Sequence, residues 1–324
     1  MKFEVNNLCF SYYKSPLILK DASFSIEEDD KILVLGINGS GKTTLLKVLS
    51  GIEESYFGSV KLNEKELASI DNRDKNTSML YSNPVLLKHK SVEKNIEFLL
   101  EVLCRKNLSE DELNLFSIFN LTNQMKTKVS KLSLIDKRKL AIIRSCIKSP
   151  EVMFIDDQFD GLNETETVDM INIYNFLIKM KKTIVFAIDQ NSFNNNRAEM
   201  FNLKFNKIIF LSITKAYEFN SIEDLKLNPP TIDAMNFIDG FNAKNTLIIK
   251  KKDDFFIEID GNLRKFDRKI SKKLGGKNLD LITGENAKLF YTDNLNDFSD
   301  QQISNKLENG EWFLFSNLDG IRLI

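Results

Sequence analysis

A chain of 324 residues has enough material for one large domain and a smaller one. Its 45 Lys and Arg against 46 Asp and Glu leave a net charge of −1, so there is no bulk attraction toward nucleic acid or anionic lipid, and any such contact has to be a local patch. The three cysteines, Cys9, Cys104 and Cys146, are odd in number and lack metal-ligand spacing, which points to a reducing, cytosolic setting with the thiols packed as small core residues.

In chain order, the opening third reads as short alternating runs, KFEVNNLCF, ASFSIE and KILVLG, the last leading into a Gly-rich loop and a helix from about Thr43 to Ser50. No apolar core of signal-peptide length occurs at the N-terminus, and no segment approaches about 18 uninterrupted apolar residues, so no membrane span is expected. Between Ser91 and about Gln124, apolar residues recur at spacings of three and four, with Ser91 and Ser109 positioned as helix caps, which predicts a helical insert over about 85–135. A helix near Ile135 to Lys148, a strand EVMFID, a helix from about Glu164 to Lys181 and a strand KTIVFAID follow. Strands alternating with helices predict a parallel α/β core.

NSFNNNRAEMFN reads as loop around a short helix, and NKIIFLS and KAYEFN as a strand pair. The Pro-Pro pair in LKLNPPTID marks a domain boundary near Asn228, giving a first domain over 1–227 and a small α+β module over 228–324. In that module NTLIIKKKDDFFIEIDG predicts a hairpin with a charged turn at Lys251 to Asp254, and LRKFDRKISKKLGG a basic helix ended by Gly275 and Gly276. KLFYTD, EWFLFS and GIRLI read as strands, and SDQQISNKLENG as helical.

The chemistry begins at GINGSGKT, Gly36 to Thr43, which matches G-x-x-x-x-G-K-[ST] in the required context of strand before and helix after. The loop residues Gly36, Asn38, Gly39, Ser40 and Gly41 bring backbone N–H groups to phosphate oxygens, and the helix N-terminus, running on into Thr44, adds partial positive charge. Lys42 is expected to contact the β and γ phosphates, and the Thr43 hydroxyl to ligate Mg²⁺. Asp156 ends an apolar strand and fits a carboxylate of the Mg²⁺ shell.

With Tyr12 in FSYY, LSLIDKRKLAIIRS, VMFIDD and DGLN in that order, residues 1 to about 227 resemble the nucleotide-binding subunit of an ABC transporter. The resemblance implies an α/β P-loop fold with a helical subdomain, ATP and Mg²⁺ as ligands, and a second ABC ATPase subunit as partner in a homodimer or heterodimer. It further implies a membrane permease that holds the chain at the inner, cytoplasmic face of the membrane, with no nucleic acid as partner. Tyr12 would stack on adenine, with Tyr13 as competitor, and Ser133 would serve the nucleotide of the opposite subunit.

Several positions depart from the family pattern. Leu134 and Ile135 replace the two signature glycines, so side chains occupy space where backbone should approach the γ phosphate. Asp157 stands where the family uses Glu to orient the attacking water, and falls short by about 1 Å, a misplacement that can cost about 100-fold. Asp189 aligns with the switch His and cannot donate a hydrogen bond when ionised. Ser82 stands for a Gln that reaches toward Mg²⁺ and the water, and Asn163 replaces an Asp of the dimer-facing loop. Binding with slow hydrolysis is the expectation. Val85, Leu86 and Leu87, beside Lys88 and Lys90, are expected to form part of a permease-binding groove, and His89 a surface position.

Overall fold

The computed structural model describes residues 1–195, 203–212, 215–227, 229–231, 234, 237, 247–251, 254–259, 262–265, 287–290 and 313–316. The chain divides into two compact units, Met1–Ile222 and Glu223–Ile324. The sequence-based break lies at residue 227.

In the first unit, β1 (Phe3–Phe10) and β2 (Leu19–Ile26) pair antiparallel, and β1 also pairs with β4 (Phe57–Leu62), which pairs with β5 (Lys65–Glu66). Side chains on one face of β1 are buried at Phe3, Val5, Leu8 and Phe10. The alternation slips by one residue between Val5 and Leu8, at a bulge where Asn7 takes φ +49°. Without it the second half of the strand would turn its apolar face to water.

The second sheet has six strands: β3 (Lys31–Leu35), β6 (Thr77–Leu80), β7 (Val152–Ile155), β8 (Thr183–Ala187), β9 (Lys207–Leu211) and β10 (Ala216–Phe219), in the order β10-β9-β3-β8-β7-β6. All neighbours are parallel except the edge pair β10 and β9. β3, β7 and β8 are buried at every residue, which is why their sequences are continuous apolar runs rather than alternating ones. Register fixes the site: Val34 stands beside Ala187 and Ile155 beside Phe186, so the loops leaving β3, β7 and β8 emerge together at one edge.

Helix α1 (Lys42–Leu49) follows β3 directly and buries Leu45, Leu46, Val48 and Leu49 in a core shared with both sheets. The insert forms α2 (Val92–Val102) and α3 (Glu110–Ile118), capped by Ser91 and Ser109 as expected. Ser109 and Glu112 close a capping box, and Arg105 holds both Glu112 oxygens at 2.7 and 2.6 Å. Then come α4 (Leu134–Lys148), α5 (Glu164–Ile178), α6 (Gln190–Asn195) and, beyond β10, α7 (Ile222–Leu227). β4 and β6 escaped the sequence reading: the first two residues of FGSVKL are exposed, and TSML is only four residues long.

Two expectations are corrected. Cys104 is exposed just past the end of α2, and Cys9 and Cys146 are only partly buried, so the thiols are not uniformly core. In the second unit β11 (Leu247–Lys251) and β12 (Asp254–Ile259) form the expected hairpin with Lys251 opposite Asp254, but β13 (Asn262–Lys265) pairs with β12, so the start of the anticipated basic helix is strand. The strand register continues through Leu263 and Arg264, which alternation allows as well as helical spacing does. The remainder of that segment, the helix expected over 299–310 and the strand over 320–324 lie outside the described residues. β14 (Ala287–Phe290) and β15 (Phe313–Ser316) pair antiparallel.

Asn95, fully buried on α2, ties the loop before the insert to the helix. Its side chain accepts from Leu87 N at 2.9 Å and donates to Leu87 O at 3.1 Å and Ser91 O at 2.9 Å. Asn95→Ala strands those backbone groups, and thermal unfolding of the full chain is expected to show a loss of about 1–3 kcal/mol, or about 2–4 °C in Tm for each kcal/mol.

Candidate functional site

The loop between β3 and α1 wraps an open concavity. Gly39 lies at φ +81° with nothing within 4 Å of where a Cβ would stand, so its face is open to a ligand. Gly41 lies at φ +95°, and a Cβ there would sit 2.8 Å from Ile18 and 2.9 Å from Leu19, so only glycine fits without displacing both. Gly41 precedes α1 and provides no side-chain cap, leaving the first N–H groups of the helix for another acceptor.

Lys42 Nζ folds back onto the carbonyls of Gly36 (2.7 Å) and Ile37 (2.9 Å). Thr43 Oγ1 donates to the Asp156 carboxylate, 3.0 and 2.9 Å from its two oxygens. These oxygens, from the start of α1 and the end of β7, are the hard donors a small divalent cation takes, so the pair fits Mg²⁺. The cavity is about 450 Å³ and is lined by Asn38, Gly39, Gly41, Lys42, Thr43 and Thr44 from the loop and α1, with Ser82, Asp156, Asp157 and Asp189 from the converging strand ends. Ile18 and Asp160 also line it. Asp160 had a visible signal as the last acid of IDDQFD, whereas nothing marked Ile18.

Asp157 is buried and engaged on both oxygens. Oδ1 accepts from Phe159 N at 2.8 Å, and Oδ2 from the Ser192 hydroxyl at 2.6 Å and Asp189 N at 3.4 Å. Burial pushes its carboxyl above the usual range, the Ser192 and Phe159 hydrogen bonds hold it down, and the neighbouring Asp189 charge pushes it up. Asp156 is likewise raised by burial, against the pull of the Thr43 hydroxyl. Burial lowers the Lys42 ammonium, and the carboxylates of Asp189, Asp157 and Asp156, in that order of strength, raise it.

Not every expected residue reaches the cavity. Gly36 and Ser40 lie behind the loop, with a Cβ on Gly36 only 2.4 Å from Leu211 O and 2.5 Å from Ser40 Oγ. Tyr12 packs edge-on against Phe10 at 4.9 Å with Lys47 over its ring, and is not among the lining residues, while Tyr13 is exposed. Ser133 caps α4 by accepting from Asp136 N at 3.1 Å and stands apart from this cavity. Ile135 is buried, and Leu134 lies 3.4 Å from where a Cβ on Gly161 would stand. Asn163 caps α5 in a box with Glu166. His89 is exposed.

Arg138 was not anticipated, because a cation between Lys137 and Lys139 reads as a solvated helix face. It is 2% exposed, with Nε donating to Ser82 O at 3.1 Å and a terminal nitrogen to Gln158 O at 2.8 Å. Gln158 in turn donates to Tyr81 O at 2.9 Å and Asp156 O at 2.7 Å. Burial lowers the Arg138 guanidinium while Asp157 pulls it back up. The same helix, α4, lines a groove of about 650 Å³ through Ala141, Arg144, Ser145 and Lys148, with Tyr81 and Pro84 on the loop beside Ser82. Of the three adjacent apolar residues, Val85 lines this groove and Leu86 and Leu87 do not.

A parallel sheet whose strand ends gather a Gly-rich loop, its Lys-Thr pair and an aspartate bonded to that Thr defines a P-loop nucleotide-binding domain. Residues 19–160 match the model of the ABC transporter family. The chain is 28% identical over 174 residues to the glycine betaine/carnitine transport ATP-binding protein GbuA of Listeria monocytogenes, covering 51% of this chain and 44% of that protein. It is 23% identical over 246 residues to the spermidine/putrescine import ATP-binding protein PotA of Thermotoga maritima (74% and 64%), and 26% identical over 234 residues to the methionine import ATP-binding protein MetN of Clostridium acetobutylicum (70% and 71%). The first two alignments span less than two thirds of the relatives' own length. Over residues 19–160 the chain is thus similar to the nucleotide-binding domain of the ABC transporter family.

Because the fold raises the Asp157 pKa, ionising it costs native stability. Asp157→Asn is therefore expected to raise Tm at pH 7 by about 2–4 °C for each kcal/mol recovered. The advantage should shrink as pH falls through the raised folded-state pKa, where the native carboxyl is itself neutral. Scans of both proteins from pH 7 to 4 check the sign.

Proposed function

We propose that this chain is an ATP-binding subunit of an ABC transporter that couples Mg-ATP binding and slow hydrolysis to movement of a membrane permease. The observation that carries it is the position of α4, which spans from the nucleotide cavity, through Arg138 on the Ser82 and Gln158 carbonyls, to the groove at Arg144 and Lys148. A segment of a permease seated in that groove would bear on the same helix that braces the catalytic loops. No helix among the described residues is long and apolar enough to cross a membrane. The printed names of the relatives, which describe transport and import ATP-binding proteins, support the same reading.

In this reading Lys42 and the loop N–H groups hold the phosphates, with Tyr12 or Tyr13 against the base. Thr43 and Asp156, with Ser82 near them, hold Mg²⁺, which when bound neutralises phosphate charge. Asp157 is the candidate to take a proton from water. Its oxygens already accept from Ser192, Phe159 and Asp189, which leaves little of the roughly four-site acceptor capacity of a carboxylate for water. Ser133 serves the nucleotide of a second ABC subunit, identical or not, whose own signature completes this chain's site, and the complex lies at the cytoplasmic face of the membrane.

Commitment of Asp157 also favours a second reading, a module that holds ATP as a regulatory ligand without sustained turnover. ATPase assays on the chain purified with its membrane partner separate the two: stimulated turnover favours the transporter, its absence the module. The isolated chain should hydrolyse ATP far below the typical enzyme level of about 10 per second.

Two variants test the assignments. Mg-ATP at about 100 times its Kd should stabilise the chain by about 2.7 kcal/mol, and Lys42→Ala should remove most of that Tm shift. A Lys42→Ala protein that responds as the parent does would place the phosphates elsewhere. Val85 is 73% exposed, so Val85→Asp should leave the fold and the ATP-induced shift unchanged while releasing the copurifying membrane protein. Unchanged copurification would remove the groove from the interface.

A further inference from the structure

Asp189 has two connections in the site. Its Oδ1 accepts from Ser192 N at 2.8 Å and its carbonyl from Phe193 N at 2.9 Å, so it caps the first turn of α6. Its own N–H points at Asp157 Oδ2, 3.4 Å away. Swinging the side chain out of the cavity would uncap α6, so the charge is held in place. Asp189 is also the carboxylate that acts most strongly on Lys42.

Among the described residues lining the cavity, Lys42 is the one cation, facing Asp156, Asp157, Asp160 and Asp189. A phosphate-loop Lys is shared between the β and γ phosphates. A divalent cation at Thr43 and Asp156 offsets part of the negative charge, but a third phosphate adds more of it beside Asp189, and the Lys42 ammonium, held on the Gly36 and Ile37 carbonyls, is the one cation among the described lining residues to meet it. Resting on the nucleotide-site reading above, we infer that Asp189 is a specificity-determining residue that disfavours the terminal phosphate, so that the cavity holds a magnesium-bound nucleoside diphosphate at least as tightly as the triphosphate.

The competing account makes Asp189 a helix cap and nothing more. Asn and Ser cap about as well as Asp and carry no charge, so Asp189→Asn and Asp189→Ser separate the two roles. The experiment is calorimetric titration of the full chain and both variants with Mg-ADP and with the magnesium complex of a non-hydrolysable β,γ-imido analogue of ATP. Unfolding scans identify which variant retains the native fold.

In the parent, the diphosphate Kd should equal or lie below that of the triphosphate analogue. Removing a unit charge within about 10 Å at an effective dielectric of about 20 should tighten the triphosphate analogue on the order of tenfold, with ADP, which lacks the phosphate nearest the charge, tightening by less. A triphosphate preference of tenfold or more in the parent overturns the inference, as does an affinity ratio that is the same in parent and folded variant. If neither nucleotide binds the parent, the nucleotide-site reading itself falls and takes the inference with it.

Discussion

Charge imbalance at the end of the parallel sheet governs this site. Register brings the ends of β3, β7 and β8 to one edge, and the residues that follow are a phosphate loop with one Lys, the pair Asp156 and Asp157, and Asp189. Burial raises both members of the pair, and Lys42 is the one cation among the described residues lining the cavity. The protein contains the excess with donors: the Thr43 hydroxyl on Asp156, and the Ser192 hydroxyl and two backbone N–H groups on Asp157. Each donor that stabilises a carboxylate also restrains it. Asp157, with three donors on its two oxygens, is thereby held in one orientation.

Behind the carboxylates the packing is aromatic. Tyr174, fully buried, meets Phe159 at 5.1 Å and Phe186 at 4.3 Å, so the loop after β7 rests on a wall without room to adjust. Arg138 closes the other side by holding the Ser82 and Gln158 carbonyls. Its guanidinium is buried without a carboxylate in direct contact among the described residues, so the carbonyls and the more distant Asp157 charge compensate it. A displacement of α4 moves Arg138, and with it both carbonyls. The link between groove and cavity is therefore a packed, hydrogen-bonded element rather than a flexible one.

The sequence displayed the parts whose chemistry is local. The Gly-rich loop, the Ser91 and Ser109 caps, the buried strands and the hairpin at Lys251 and Asp254 each carry their signal within a few residues. What it did not display depends on distant partners. Arg138 has the pattern of a surface cation and is buried because two carbonyls from other elements converge on it. Ser192 lies in an Asn-rich stretch that reads as loop around a short helix, yet its hydroxyl meets Asp157 35 positions away. Tyr12 illustrates the converse: its place in the motif order suggested a base-stacking role, while its observed contacts are Phe10 and Lys47. The strand at Asn262–Lys265 was hidden because a short run such as NLRK satisfies helix and strand periods alike.

The substitutions acquire a common sense when they are considered across two subunits rather than one. A nucleotide drives closure only by the difference between its affinity for the closed and open states. In this chain Ile135 is buried at the start of α4 and does not project, contrary to its expected part in crowding, whereas Leu134 is only partly buried beside Gly161 and would be the side chain met by a close backbone approach. A pair of identical chains would then carry two sites with a crowded signature and an acidic cavity, and the terminal phosphate would add little to closure at either. Pairing with a subunit whose signature retains its glycines leaves one site improved, the one formed by this chain's phosphate loop, while the other keeps the crowded signature. Asp189 and Leu134 belong to different composite sites in such a pair, so the two departures weaken both sites in an identical pair for different reasons. In such an unequal pair the intact Lys42, Thr43 and Asp156 cradle would hold nucleotide against an uncrowded signature, while the partner's phosphate loop would still face Leu134, so neither composite site would be free of this chain's departures.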